Sequence, residues 1–255
     1  MYTSPHLKTL SLSLSHPIKP HQISRWRGAF LEMIGWEEEL FHNHKNKGYT
    51  GTGTYSSIAA KSKTHHYRYP LIQYYEQDRR GTILGINEGR DILLKMVEEK
   101  ELKIKWDGKE QFLKIIDIQK NEHNFHMLPE PRLYRINQWM ALTQKNHKEW
   151  EKANGLLDRI QLLERLLPNH LIGLFKTFQW NWPQRIETQL QQLYKAKPIT
   201  FKGQKMQVFD MEFTANVDLP NGIAIGKGTS QGFGWLERVH SSIPYQASRI
   251  RRRRI

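Results

Sequence analysis

The chain has 255 residues, enough for one large domain or two smaller ones, and its 38% hydrophobic and 25% charged residues suit a globular protein rather than a disordered one. It contains no cysteine, which excludes disulfides, thiolate zinc sites and a cysteine nucleophile, and it has no apolar run near the ~18 residues that cross a bilayer. Thirty-nine Lys and Arg against 25 Asp and Glu give a net charge of +14, an excess that attracts a polyanion, most often nucleic acid.

The first twenty residues lack the apolar core of an export signal, so a cytoplasmic location without membrane attachment is expected. Leu10, Leu12 and Leu14 alternate with Ser11, Ser13 and Ser15, the period of a half-buried strand, which Pro17 and Pro20 end. Ile23, Trp26, Phe30 and Met33 then recur at helical spacing. Arg25 and Arg27 on this helix are candidates for phosphate contact or simply a solvated face. Residues 35–64 are polar and rich in Gly and Lys, and read as a long loop or insertion. Residues 65–75 read as a strand and 81–86 as its hairpin partner. Residues 88–100 read as a helix, with Ile92, Leu93, Met96 and Val97 on one side, and 111–118 as a fourth strand.

This order, β-α-β-β-α-β, is the ferredoxin-like arrangement also used by RNA-recognition modules. A second half begins after the two prolines of 127–132, with a strand-like stretch to 142. Residues 144–178 read as helical and broken at Pro168, with Leu156, Leu157, Ile160, Leu163, Leu166 and Leu167 as core. Strands at 197–203 and 204–217 follow, with Gly203 at their turn. Tyr67, Tyr69, Trp180 and Trp182 read as core rather than as platforms for bases. The expected fold is therefore α+β, with two tandem ferredoxin-like domains at 1–126 and 127–255, the second a modified copy.

Gly226, Lys227, Gly228, Thr229, Ser230, Gln231, Gly232, Phe233 and Gly234 form a glycine-rich run near the C-terminus. It lacks the βαβ context of a dinucleotide fingerprint and the Gly-Lys-Ser/Thr ending of a phosphate loop. It reads as a flexible, backbone-rich loop that brings N–H groups and Lys227 against a phosphodiester chain, or as a glycine hairpin with no ligand. The tail from Arg249 to Ile255 is a candidate electrostatic arm.

His42 and His44 stand in "LFHNH", one residue apart. On a helix they point to nearly opposite sides; in an extended segment they share a face about 6.6 Å apart. Imidazole titrates near neutrality, at about 6.5, and suits the base that deprotonates a 2′-hydroxyl or the acid that protonates a departing 5′-oxygen. A zinc site would need further ligands from Glu37, Glu38, Glu39, His65 or His66. Two solvated loop histidines are the third reading. The letters match the name of a metal-dependent nuclease motif whose residues are scattered, and that match is accidental.

Three stretches, 40–44, 67–89 and above all 202–234, resemble the CRISPR-associated repeat-RNA endoribonucleases of the RAMP superfamily, in the b-type subgroup. The resemblance covers nearly the whole chain. It implies two ferredoxin-like domains and metal-independent cleavage of precursor CRISPR RNA within repeats, with no cofactor. Attack by the 2′-hydroxyl leaves a 2′,3′-cyclic phosphate and a 5′-hydroxyl. The implied partners are the repeat RNA and an effector complex that receives the guide. His42 and His44 are the expected catalytic pair and Tyr49 the first supporting group, with Tyr55, Lys45, Lys47, Lys61 and Lys63 competing in the long stretch. Residues 226–234 are the expected RNA-binding segment. A non-catalytic RNA-binding subunit of the superfamily and a metallohydrolase using the histidine pair are the alternatives.

Overall fold

Strand β1 (His6–Pro17) runs through the middle of a four-stranded antiparallel sheet and presents two different faces. Leu10, Leu12 and Leu14 point into one buried cluster, while Leu7, Thr9, Ser11 and Ser13 lie on the other side. A computed structural model of the chain describes residues 5–34, 69–99 and 101–239. Helix α1 (Ile23–Ile34) lays Ile23, Trp26 and Phe30 on the leucine face, at the predicted spacing. Strands β2 (Ile72–Gln77) and β3 (Arg80–Ile86) are joined by Asp78 and Arg79, both at positive φ, and α2 (Glu88–Glu99) buries Leu93 and Met96 beside α1.

The fourth strand of this sheet is displaced from its predicted place. Asp107 and Gly108, at φ 51° and 75°, turn the chain into a separate hairpin of β4 (Lys103–Trp106) and β5 (Lys109–Phe112). That hairpin takes Gln111 and Phe112, so the sheet strand is β6 (Ile115–Asn124) rather than 111–118. The hairpin covers α1: Arg25 lies 4.3 Å over the Trp106 ring and pairs with Asp107 at 2.6 Å. Arg25 is thus engaged within the fold. The strand order β2-β3-β1-β6 is that of a ferredoxin-like sheet, with both helices on one face and the other face turned toward the second half, against which Leu7, Tyr75, Leu84 and Ile86 are buried.

The second sheet repeats the order. It consists of β10 (Trp235–Arg238), β7 (Met127–Trp139), β9 (Gln204–Val217) and β8 (Thr188–Phe201), all antiparallel. Lys202 and Gly203, both at positive φ, make the predicted β8–β9 turn. Strand β8 starts nine residues before the predicted 197, across a Gln-rich run whose edge position leaves it mostly exposed. Helix α3 (Gln144–Lys152) is capped by Thr143, whose hydroxyl accepts from Asn146 N at 3.2 Å. Helix α4 (Leu156–Thr177) contains Pro168, so the helical stretch breaks at 153–155 and not at the proline. Its core face is Leu162, Leu163, Leu166, Leu167, Leu171, Leu174 and Phe175. Leu156 and Leu157, expected in the core, are 63% and 67% exposed. No second crossover helix follows β9; residues 218–234 with a short 3₁₀ turn at Thr229–Gln231 stand in its place. The molecule is a tandem of two ferredoxin-like folds, the second modified.

Candidate nucleic-acid interface

Beside the apolar contact, the helix-free face of the first sheet and the second sheet leave a cleft of about 500 Å³ between them. Period-two alternation places Thr9, Ser11 and Ser13 of β1 and Asp117, Gln119 and Asn121 of β6 on one wall. Arg135 of β7 and Trp235, Glu237 and Arg238 of β10 line the other. Tyr75 and Trp235 stack at 5.0 Å between the walls. Burial pushes the Tyr75 phenol up to about 12, so it stays a neutral hydroxyl, 3.5 Å from Ser11 Oγ. Arg135 is held by Glu212 at 2.7 Å and lies 5.0 Å over the Tyr194 ring. Hydroxyls and amides dominate these walls and the acids offset the arginines, a surface suited to hydrogen-bonding base edges and ribose hydroxyls. Lys195, Lys202 and Lys205 are exposed on the long β8–β9 arm, where Lys195 pairs with Asp210 at 3.8 Å.

Asp218 ties the two sheets together at one end of this cleft. Its buried carboxylate accepts from Arg132 and, at 3.0 Å, from Arg238, and the Tyr134 hydroxyl lies 3.4 Å away. His123 of β6 completes the junction. Arg238 can only donate, at 3.2 Å, to His123 Nδ1, so Nε2 carries the proton and donates to the Asp218 carbonyl at 3.0 Å. Burial lowers the His123 pKa, in keeping with a neutral ring.

The glycine-rich run is not the flexible loop that its composition suggests. Gly226, Gly228, Gly232 and Gly234 all have positive φ, and a Cβ on Gly234 would sit 1.9 Å from the Ile225 carbonyl oxygen. The segment is a packed wedge between the halves. Thr229, Ser230, Gln231, Gly232, Phe233 and Gly234 are buried. Gln231 accepts from Ser24 Oγ of α1 at 3.1 Å, and Phe233 packs against Phe201, Met140 and Val208. Lys227 is the exposed member, flanked by half-buried Gly226 and Gly228. Its backbone N–H donates to Met140 O at 3.2 Å and its Nζ to Leu142 O at 2.8 Å, and partial burial lowers its pKa.

Beneath the wedge, Trp139 Nε1 donates to His170 Nδ1 at 3.0 Å, which leaves the proton of the neutral ring on Nε2. Burial, reinforced by the Lys227 charge, pulls the His170 pKa down to about 4. Neither Trp139 nor His170 is singled out by sequence, because nothing signals a pairing across a separation of 31 residues. The same holds for Asp218 and Arg238. Tyr69 is core, as expected, and its hydroxyl donates to Ala224 O at 2.7 Å beside the wedge. Trp180 is buried and Trp182 half-buried.

His42, His44 and Tyr49 lie outside the described residues, as do Tyr67, the 35–64 stretch and the Arg-rich tail. The chain leaves the described structure at the end of α1 and re-enters at Tyr69, on the Ala224 carbonyl. Among the described residues no three His, Asp or Glu side chains form a group that could hold a metal ion, and no helix is long and apolar enough to cross a membrane.

Two ferredoxin-like sheets facing each other across a polar cleft, with a glycine wedge in place of the last helix, define the class of this molecule. Residues 5–55 and 59–124 match the Cas6b N-terminal domain and residues 126–239 the Cas6b C-terminal domain, and the chain belongs to the Cas6b family. A crystal structure of Cas6b superposes with a TM-score of 0.78 at 24% identity, covering 92% of this chain and 100% of the other. A CRISPR RNA processing endoribonuclease Cas6b gives 0.66 at 23% identity over the same shares. A type IV CRISPR-Cas crRNA endonuclease gives 0.59 at 13% identity, again over 92% and 100%. An uncharacterized protein of Methanocaldococcus jannaschii is 31% identical over 104 residues, 41% of this chain and 69% of its own length.

Proposed function

We propose that this protein is an endoribonuclease that cleaves precursor CRISPR RNA within its repeats, without a metal ion, to release guide RNAs. The observation that carries this reading is membership of the Cas6b family along both halves of the chain. The +14 charge supports an RNA partner, and the hydroxyl- and amide-lined cleft supports recognition of unpaired nucleotides by their edges.

In this reading His42 and His44 exchange the two protons of the reaction. One takes the proton of the 2′-hydroxyl, whose oxygen attacks the adjacent phosphorus; the other protonates the 5′-oxygen as its bond to phosphorus breaks. The products are a 2′,3′-cyclic phosphate and a 5′-hydroxyl, and Tyr49 is the first candidate to support the transition state. Residues 226–234 are the RNA-binding segment in this reading, with exposed Lys227 and half-buried Gly226 and Gly228 at its surface and the buried residues 229–234 beneath them. Residues 1–126 and 127–255 would act as two domains on one RNA, and the cleaved guide would pass with the protein to an effector complex.

The test is cleavage of end-labelled cognate repeat RNA in excess EDTA. Cutting should persist, and a single 2′-deoxy nucleotide 5′ of the cut should leave the RNA bound but intact. His42→Ala or His44→Ala should slow single-turnover cleavage by roughly 10²–10⁴-fold, the usual range for general acid–base catalysis, with little change in RNA affinity. Binding without cutting by the unaltered chain would make it a non-catalytic RNA-binding subunit. Activity restored only by an added metal would make it a metallohydrolase.

A further inference from the structure

Helix α4 carries one polar side chain where its apolar stripe calls for a hydrophobic one. His170 lies three or four residues from Leu166, Leu167 and Leu174, all of them buried. Its two ring nitrogens meet different surroundings. Nδ1 is occupied, because it accepts from Trp139 Nε1 at 3.0 Å. Nε2 therefore holds the proton of the neutral ring and can only donate. No described residue accepts from it, and the side chain is half-buried rather than enclosed, so this N–H opens to the surface.

A second donor stands beside the first. Gly226 brings the wedge against the same pair: a Cβ on it would lie 2.9 Å from Trp139 Nε1, the atom that donates to His170. The next residue, Lys227, is exposed, and its charge reaches His170 strongly enough to favour the neutral ring. Lys227 Nζ gives one proton to Leu142 O at 2.8 Å and keeps two. Among the described residues no carboxylate acts on either group, so a cation without a counter-ion lies next to a neutral donor. The space beside them is free. A Cβ on Gly173, one turn beyond His170 on the same side of α4, would meet nothing within 4 Å. Two donors carrying one charge, with no acceptor, match a phosphodiester, which has one negative charge and two oxygens that only accept. A base or a peptide amide would bring donors that find no partner here.

We propose that His170 Nε2–H and Lys227 Nζ together hold one phosphate of the RNA backbone at the edge of the wedge, with Gly173 leaving the approach open. This rests on RNA being the partner in the reading above and adds to it a contact from α4. The test titrates a fluorescent 20-nucleotide polyuridylate with the full chain at several salt concentrations. Gly173→Leu adds a side chain that leans back over the preceding turn, toward His170, and leaves the bond to Trp139 in place. It should weaken binding about tenfold, the scale of one hydrogen bond to a charged group, with thermal unfolding no lower than wild type. His170→Asn keeps a carbonyl at the position of Nδ1 for Trp139 and removes Nε2. It should weaken binding about tenfold and leave the slope of log affinity against log salt unchanged, because the donor it removes is neutral. Lys227→Gln should lower that slope by about 0.7, the value of one single-strand phosphate. In a chain labelled with ¹⁵N-histidine, polyuridylate should shift the His170 Nε2 proton and slow its exchange with water, a response that a purely structural histidine does not give. Wild-type affinity in Gly173→Leu or in a folded His170→Asn, or an Nε2 proton indifferent to RNA, would overturn the proposal. So would a shift caused by inorganic phosphate or poly-L-glutamate at the same ionic strength and not by polyuridylate. A chain that binds RNA through this pair yet fails to cut repeat RNA would end the cleavage reading and leave this contact standing; a chain that binds no RNA would end both.

Discussion

Both halves of the molecule lay four strands in the same spatial order, but they complete the second crossover by different physics. In the first half, α2 satisfies its own backbone internally and meets the sheet through a few apolar side chains such as Leu93 and Met96. In the second half, residues 218–234 have no helix to satisfy them, and their N–H groups reach out to fixed partners. Gly222 donates to Leu236 O at 2.7 Å, Gly234 to Asn137 O at 2.8 Å, Lys227 to Met140 O at 3.2 Å and Ala224 to the Gln73 side chain at 3.1 Å. A helix tolerates change on its outer face because its conformation is repeated along its length. An irregular segment specifies each residue's conformation separately, so single positions carry the fold.

The largest effect that would sharpen this contrast is expected at Gly234. Gly234→Val places a β-branched side chain at φ 75° with its Cβ 1.9 Å from a backbone carbonyl, and should cost more than ~4 kcal/mol, enough to abolish cooperative unfolding in urea. A wild-type midpoint would break the comparison.

Next comes pH. The His170 pKa is lowered from 6.5 to about 4 by burial. Above pH 6.5 the ring is neutral in both folded and unfolded chains and costs nothing. As pH falls from 6.5 towards 4 the unfolded chain takes up the proton first, which should remove up to roughly 3 kcal/mol of stability. His170→Gln, which keeps an acceptor for Trp139, should flatten that part of the stability–pH curve, and an unaltered slope would exclude His170 as its source.

Smaller effects follow. Tyr69→Phe removes the 2.7 Å donation to Ala224 O in a buried setting, and a loss of about 1–2 kcal/mol is expected by denaturant titration. A loss of zero would mean that the wedge does not depend on its contact with the first half. The smallest change has the opposite sign. Gly28 is exposed in α1 and a Cβ there meets nothing within 4 Å, so Gly28→Ala should stabilise by roughly 0.5–1 kcal/mol, read as a raised midpoint.

Much of the first half was legible because its signals are local. The Leu/Ser alternation of β1 and the Ile23–Trp26–Phe30 spacing of α1 each report one face of one element. Legibility failed where a local signal had two meanings. The Asp107–Gly108 turn claimed Gln111 and Phe112 for a hairpin of its own, so β6 began four residues later than 111. Pro168 was a plausible break, but the helix continues through it, and the interruption falls at Gly155. Leu156 and Leu157 have core-like composition and lie in water. The glycine run showed the reverse: flexibility inferred from composition became rigidity once each positive φ was fixed by a neighbour. At the candidate site, the Asp218 junction and the Trp139–His170 pair join residues distant in sequence, which only the topology brings together.

The two halves share one interior, and that decides how the protein comes apart. A single buried cluster contains Leu7, Tyr75, Leu84 and Ile86 from the first sheet and Phe125 from the connection after β6, together with the α4 leucines and the aromatic residues of β7 and β9. Neither half can melt without exposing its neighbour's share of that interior, so calorimetry should find one transition, with equal calorimetric and van't Hoff enthalpies. The walls of the cleft are fixed when the chain folds, and no hinge is needed to form them. An incoming strand would meet a rigid slot, with association in a single kinetic phase and without the slow step of domain closure.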